Sequence, residues 1–268
     1  MSGLINRWRP SPYLVFSAIV TLVCVVGTLV HPDDWRTYLA AALATQIVLI
    51  GSGFVPRSRL LGANISRLPQ SDAGRKEIAL TFDDGPDPDV TPAVLEILAQ
   101  RNVRATFFCI GRKAAEHPRL IAAIVEAGHS IGNHSWSHSK AFWFLGLRGL
   151  ERELTSTQDT LSRLARQTPV FFRAPAGIRS PLLDAVLTRL DLRLVSWTRR
   201  GFDTVDREPN RVLLRLTKDL APGEILLLHD GSVARESDGT PVVLDVLPRL
   251  LDVVEEMGLV AGPLEPGR

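Results

Sequence analysis

Asp83 and Asp84 stand side by side in "LTFDDGPDPD" (80–89), directly after an apolar run and directly before Gly85 and Pro86. Adjacent carboxylates repel each other, so a fold that keeps both at a strand end asks for a cation close by. A solvated turn is the plain alternative, because Asp, Gly and Pro are ordinary turn residues. Further along, "GNHSWSHSK" sets His134 and His138 four positions apart. On one helical turn both rings would face the same way. Two imidazoles and one carboxylate make the three-ligand set of a catalytic zinc-type site, which keeps a position open for water. Alone, the histidine pair reads as surface residues; beside an Asp-Asp at another strand end, the metal reading becomes the stronger. Arg173 ends "VFFR" and His229 ends "LLLH". An arginine there suits a charge-assisted bond that orients a carboxylate, or simply a solvated charge. A lone histidine there is as readily a satisfied core residue as a catalyst.

These residues need strands to carry them. "EIALTF" (77–82), "RATFFCI" (104–110), "HSIGN" (129–133), "VFFR" (170–173), "LRLVSW" (192–197), "EILLLHD" (224–230) and "GLVAG" (258–262) are short apolar runs of strand type. The segments between them predict helices: 91–102 starts with Thr91-Pro92, 117–128 ends at a glycine, and 149–167 and 241–258 carry apolar residues at three- and four-residue spacing. Strand–helix alternation of this kind predicts a parallel sheet with helical crossovers, closed into a barrel or left open. In barrels of this type the chemistry gathers at the C-terminal ends of the strands, where Asp83, Asp84, His134, Arg173 and His229 fall.

The N-terminal part has another character. Residues 13–30 and 38–55 are two uncharged apolar runs joined by "HPDDWRT". The first is long enough to cross a bilayer as a helix. A signal peptide and a buried hairpin are the competing readings; the absence of charge from both runs favours a two-span membrane hairpin. The division is then 1–55 membrane anchor, 56–76 polar and basic linker, and 77–268 catalytic domain. A net charge of +2 gives no case for nucleic acid, and Cys24 and Cys109 are too differently placed to predict a disulfide.

At this point the chain resembles the polysaccharide deacetylase family, the NodB-homology domain of carbohydrate esterase family 4. "TFDDGP" (81–86) matches its first motif and "HSWSH" (134–138) its H-[ST]-x-x-H motif. "RAPAG" (173–177) resembles R-x-P-x-G, "WTRRGFD" (197–203) resembles W-x-x-D-x-x-D, and "LLH" (227–229) resembles L-x-H. The resemblance implies a distorted (β/α) barrel of about seven parallel strands that removes N- or O-acetyl groups from sugars with one bound divalent metal. It implies Asp83 as general base, Asp84, His134 and His138 as metal ligands, Arg173 as the residue that holds the base, and His229 as general acid. Asp203 would orient His229, while Pro175, Ala176 and Trp197 would lie on the oxyanion and substrate side. Two imidazoles and a carboxylate favour zinc over cobalt, manganese or nickel. Two departures stand out: Ala176 occupies an often aromatic position, and Arg200 falls where the first Asp of the fourth motif would be.

The expected activity is removal of an acetyl or formyl group from the nitrogen of a sugar. An O-acetyl esterase, a metal-dependent phosphoesterase and a catalytically dead glycan-binding or scaffold barrel are the alternatives. Basic residues flank the hairpin (Arg7 and Arg9; Arg57, Arg59 and Arg67), and its loop holds Asp33 and Asp34 with Arg36. That bias places both hairpin ends inside, with the barrel on the cytoplasmic face of the inner membrane. A barrel there would reach an amino sugar on a polyprenyl carrier and not an external polymer; the small side chain at Ala176 fits that smaller substrate.

Overall fold

In a computed structural model of the chain, which describes residues 8–69 and 76–266, the seven expected strands join one parallel sheet. β1 (Glu77–Asp83) is an interior strand of it. On one side follow β2 (Thr106–Cys109), β3 (Ser130–Asn133), β4 (Phe171–Phe172) and β5 (Arg193–Leu194). On the other side lie β7 (Ile225–His229) and then β6 (Arg199–Arg200), a two-residue strand of arginines that no apolar pattern announces. β8 (Val260–Gly262) pairs with the start of β1. The sheet curls into a half-barrel. Its two edges, β5 and β6, are joined by residues 195–198, so Trp197 sits on the seam.

Strand alternation decides which side chains enter the barrel. Along β1, Ile78, Leu80 and Phe82 pack outward, with Phe107 and Cys109 of β2 and with Leu226 and Leu228 of β7. The crossover helices cover that face: α3 (Thr91–Gln100), α4 (Gly111–Glu116), α5 (Pro118–Glu126), α8 (Pro209–Thr217) and α9 (Val242–Glu256) each contribute to this cluster. Every fully buried Leu, Ile or Phe there contributes about 1.5–3 kcal/mol. Ala79, Phe108, Phe171, Trp197, Ile225 and Leu227 form the inner cluster. Phe172 and Leu194 pack instead against α6 (Leu147–Ala165) and α7 (Leu183–Arg189). By the same alternation Thr81 and Asp83 share the inner face of β1.

The N-terminal runs form two antiparallel helices, α1 (Pro12–Val30) and α2 (Trp35–Gly53). Gln46 Nε2 donates to Ser17 Oγ (2.9 Å) and Thr21 Oγ1 (3.2 Å), and the Tyr13 hydroxyl donates to the Thr45 carbonyl (3.1 Å). Among the described residues one helix, α1, is long and apolar enough to cross a membrane. α2 falls short of that test; it carries Arg36 at its start and Gln46 in its middle. Arg7 lies outside the described residues, as do residues 70–75 of the basic stretch.

The stretch after α2 follows the barrel. Leu61 is buried, Ile65 bridges to Val195, and the Leu68 N–H donates to the Gly223 carbonyl (2.8 Å). Cys24 and Cys109 are both free and buried.

Candidate active site

β1 and β7 run parallel in a register that sets Asp83 opposite His229. Both point into the barrel at the C-terminal end of their strands. Across the mouth, β4 leads into Arg173, which is fully buried. Its Nη1 donates to Asp83 Oδ1 (2.7 Å) and to Thr81 Oγ1 (2.8 Å), and its Nη2 to the Ser196 carbonyl (3.3 Å). The guanidinium lies over Phe108, 4.1 Å from the ring centroid. Arg173 is therefore no solvated charge: it fixes one oxygen of Asp83 and leaves Oδ2 directed toward His134 Nε2, 3.8 Å away.

Asp84, one residue on, adopts a left-handed backbone (φ 72°), and its carboxylate approaches the same His134 Nε2. Its Oδ1 is buried, has no hydrogen-bond partner, and lies 3.3 Å from His134 Nε2 and 3.1 Å from His138 Nε2. The ligand atoms of Asp84, His134 and His138 all fall within 4.8 Å of one another. His134 Nδ1 bonds to the Arg173 carbonyl (2.9 Å), which aims Nε2 at the cluster. Burial, then the neighbouring His134, pushes His138 down to about 4 and keeps its ring neutral, as a ligand must be. Burial opposes charge on Asp84 and His134 as well, yet the histidines lower Asp84 and the aspartates raise His134. An orphaned carboxylate oxygen facing two Nε2 atoms fits a divalent cation, and nitrogen–oxygen donors of this kind suit zinc-type ions. Among the described residues it is the one such group.

The two histidines do not share a helical turn. Residues 134–138 are a loop in which Ser135 (φ 61°) and His138 (φ 49°) are left-handed. Two side chains hold it in that shape. Asn133 Oδ1 accepts from the Ser135 N–H (3.0 Å), and Glu153 of α6 accepts from the Trp136 and Ser137 N–H groups (3.0 and 2.9 Å). In the sequence Glu153 is one charge among several on an amphipathic helix, and no pattern singles it out. Thr81 and Lys113, whose Nζ donates to the Asp84 carbonyl (2.8 Å), were equally hidden.

On the opposite wall His229 is held at two points by Asp203, which is fully buried. The His229 N–H donates to Oδ2 and its Nδ1 bonds to Oδ1, both at 2.8 Å. Burial works against a charged ring, but Asp203, with smaller help from Asp83 and Asp84, raises the His229 pKa above the ordinary histidine value. The third wall is the turn Pro175–Gly177, with Ala176 left-handed (φ 54°). Gly177 and Ile178 donate to Ala174 and Pro175 (2.8 and 3.1 Å), and the Ala176 N–H has no partner within the turn. Gly177 (φ 73°) must be glycine, since a Cβ there would collide with the Trp197 ring and press on Pro56.

Residues 70–195 match the polysaccharide deacetylase family model. The chain is 35% identical over 200 residues to a chitooligosaccharide deacetylase of Azorhizobium caulinodans, a match covering 71% of this chain and 93% of that protein. It is 32% identical over 182 residues to a peptidoglycan-N-acetylglucosamine deacetylase of Bacillus cereus (66% and 64% covered). Among solved structures, a family 4 pseudoenzyme from Bacillus anthracis superposes with a TM-score of 0.67 at 26% identity, over 75% of this chain and 67% of that one. Fold alone thus does not separate working members from silent ones. The strand register, the ordered motifs and these identities agree on one lineage: the chain belongs to the polysaccharide deacetylase family, the carbohydrate deacetylases of carbohydrate esterase family 4.

Proposed function

We propose that the protein is a metal-dependent hydrolase that removes the N-acetyl group of an amino sugar. The observation that carries this is the placement of Asp83, held by Arg173, between the Asp84–His134–His138 cluster and His229, held by Asp203. A divalent ion held by Asp84, His134 and His138, zinc by its donors, would polarise the amide carbonyl and acidify water at the site. Asp83 Oδ2 takes the proton from the attacking water, since Oδ1 is occupied by Arg173. The Ala176 N–H faces the developing oxyanion. His229, protonated and with Nδ1 tied to Asp203, gives its Nε2 proton to the departing amine, a poor leaving group without it. Pro175 and Trp197 shape the substrate side of the cleft.

The assignment extends to location. A hairpin packed along its length enters a bilayer as a unit, so α2 goes where α1 goes; the half-buried bonds of Gln46 to Ser17 and Thr21 are the polar joins expected between paired spans. The chain then divides into anchor (1–55), connecting segment (56–76) and catalytic domain (77–268). The excess of basic residues on the hairpin's flanks supports a barrel on the cytoplasmic face, from which it would reach an amino sugar on a polyprenyl carrier. The test is acetate release by the metal-loaded full chain from N-acetylglucosamine oligomers and from isoprenyl-diphosphate-linked N-acetylglucosamine. Asp83→Asn serves as the control. Absence of acetate from every N-acetylated sugar in the wild type overturns the reading, and O-acetyl xylan in the same assay separates an esterase.

A further inference from the structure

Trp197, which borders the substrate side of the cleft, also lines a cavity of about 470 Å³ whose charged residues take no part in the reaction above. Its walls include Trp197 and Phe202, and its charged lining is wholly basic: Arg57, Arg199, Arg200, Arg215 and Lys218. Arg199 is committed to Glu224 (2.6 Å) and Arg215 to Asp206 (2.7 Å). Among the described residues, no carboxylate lies within ion-pair distance of Arg57, Arg200 or Lys218. Arg200 is the sharpest case. Its guanidinium lies over Phe202 and Trp197, 4.9 and 5.6 Å from their centroids, and its Nε is buried with no hydrogen-bond partner. Cations gathered in one hollow without counter-charge repel each other, and a fold that keeps them offers them to an anion.

Two contacts tie this hollow to the active site and to the hairpin. Trp197 is the shared wall, since Arg173, which holds Asp83, stacks on the same indole at 5.8 Å. Gly177, in the turn that carries the Ala176 N–H, packs against Trp197 and Pro56, and both line the cavity. Pro56 and Arg57 also follow closely on α2, beyond the exposed Phe54 and Val55. The cavity therefore sits at the root of an apolar hairpin, one aromatic ring from the arginine that holds Asp83.

We infer that this cavity is a phosphoester site, which takes the phosphate joining a sugar to its lipid while the sugar lies in the metal cleft. Arg200, Lys218 and Arg57 neutralise the phosphate, Arg200 by a forked hydrogen bond while still stacked on Trp197. Phe202 lies against the first apolar carbons of the lipid. This deepens the deacetylase reading and rests on it for the sugar, though not for the phosphate. A bilayer phospholipid presents the same group; the shared wall with the active site favours the substrate.

The test measures binding separately from turnover. The metal-loaded full chain in neutral detergent is titrated calorimetrically with isoprenyl-diphosphate-linked N-acetylglucosamine, with dihexanoylphosphatidylglycerol and with neutral N-acetylchitotriose. The diphosphate-linked sugar should bind tightest. In Arg200→Gln/Lys218→Gln its affinity relative to chitotriose should fall at least about tenfold, the scale of one lost charge-assisted contact. Arg200→Lys should recover part of it, and Lys218→Gln alone covers a folding failure of the double variant. Loss confined to the phosphatidylglycerol titration assigns the cavity to the bilayer and overturns the substrate assignment. Equal affinities in wild type and variant for both phosphate ligands overturn the site altogether. Phosphate binding that persists in a protein releasing no acetate from any sugar overturns the deacetylase reading alone.

Discussion

Arg173 and Arg200 stack on the same indole and meet opposite circumstances. Arg173 is fully buried, donates to Thr81, Asp83 and the Ser196 carbonyl, and has Phe108 beneath it. Arg200 is half-buried, has aromatic faces for neighbours, and no carboxylate within ion-pair reach among the described residues. One charge is spent inside the protein, fixing the Asp83 carboxylate. The other is held in place and left available. Stacking on one ring thus says little about role; the hydrogen-bond partners decide whether an arginine is part of the frame or part of a receptor surface.

The largest effect should come from the residue that Arg173 holds. Asp83→Asn keeps the shape of the side chain but cannot accept the proton of water. Turnover should fall by about 10⁴-fold, the upper end of what a general base contributes, with the metal content unchanged by elemental analysis. His134→Ala and His138→Ala together should lose metal and activity at once; full metal occupancy in that double variant would falsify the ligand assignment. The same substitution made at both arginines then separates them by stability. Arg173→Met leaves Asp83 buried without its partner and should cost about 3–5 kcal/mol in denaturant unfolding. Arg200→Met breaks no ion pair and should stay within about 0.5 kcal/mol. Equal losses at the two positions would erase the distinction between them.

How much of this was legible beforehand follows the range of each interaction. β1, β7 and their terminal Asp83 and His229 were readable because a strand buried on both faces is written as an unbroken apolar run. Asp84, His134 and His138 were readable because their types and spacing are chemically unusual. The loop shape around His138 was not, since it depends on Glu153, which is distant in sequence and sits on a helix whose other charges face water. β6 was missed because two arginines on a sheet edge carry no hydrophobic period. α4, α7 and α8 are short helices, of six to nine residues, whose one or two turns give too little period to distinguish them from loop. The motif departure at Arg200 was visible; that it lines a cationic hollow required the fold.

A smaller effect concerns the acid. Catalysis that needs protonated His229 falls as pH rises through the His229 pKa, which Asp203 holds above the ordinary value against burial. In Asp203→Asn the opposing charge disappears while the burial remains, so the pKa drops. The alkaline limb of kcat/KM should move to lower pH, with a loss of roughly 10–100-fold at neutral pH. Ester substrates with good leaving groups should feel it less. A limb that stays in place would mean that another group titrates, and His229 would lose its role. The raised pKa also stabilises the fold at pH values below the ordinary histidine range, and that contribution should vanish as pH passes the folded-state value.

The smallest effect is the most direct reading of the difference between the two arginines. Arg173 and Asp83 are shielded from ions by burial, so salt should not weaken them. Arg57, Arg200 and Lys218 line a cavity open enough to admit counter-ions, and their mutual repulsion is a standing cost to the folded state. Raising ionic strength from about 0.05 to about 0.5 M shortens the screening length to a few ångströms and should relieve a few tenths of a kcal/mol. The wild type should therefore gain slightly in unfolding midpoint with sodium chloride. Arg200→Met, with one repelling charge removed, should gain less. Phosphate at matched ionic strength should stabilise the wild type beyond chloride, because it occupies the cavity instead of merely screening it. A wild type whose midpoint falls with salt, or a variant that tracks it at every concentration, would show that Arg200 already has its counter-charge, and the two arginines at Trp197 would then be alike.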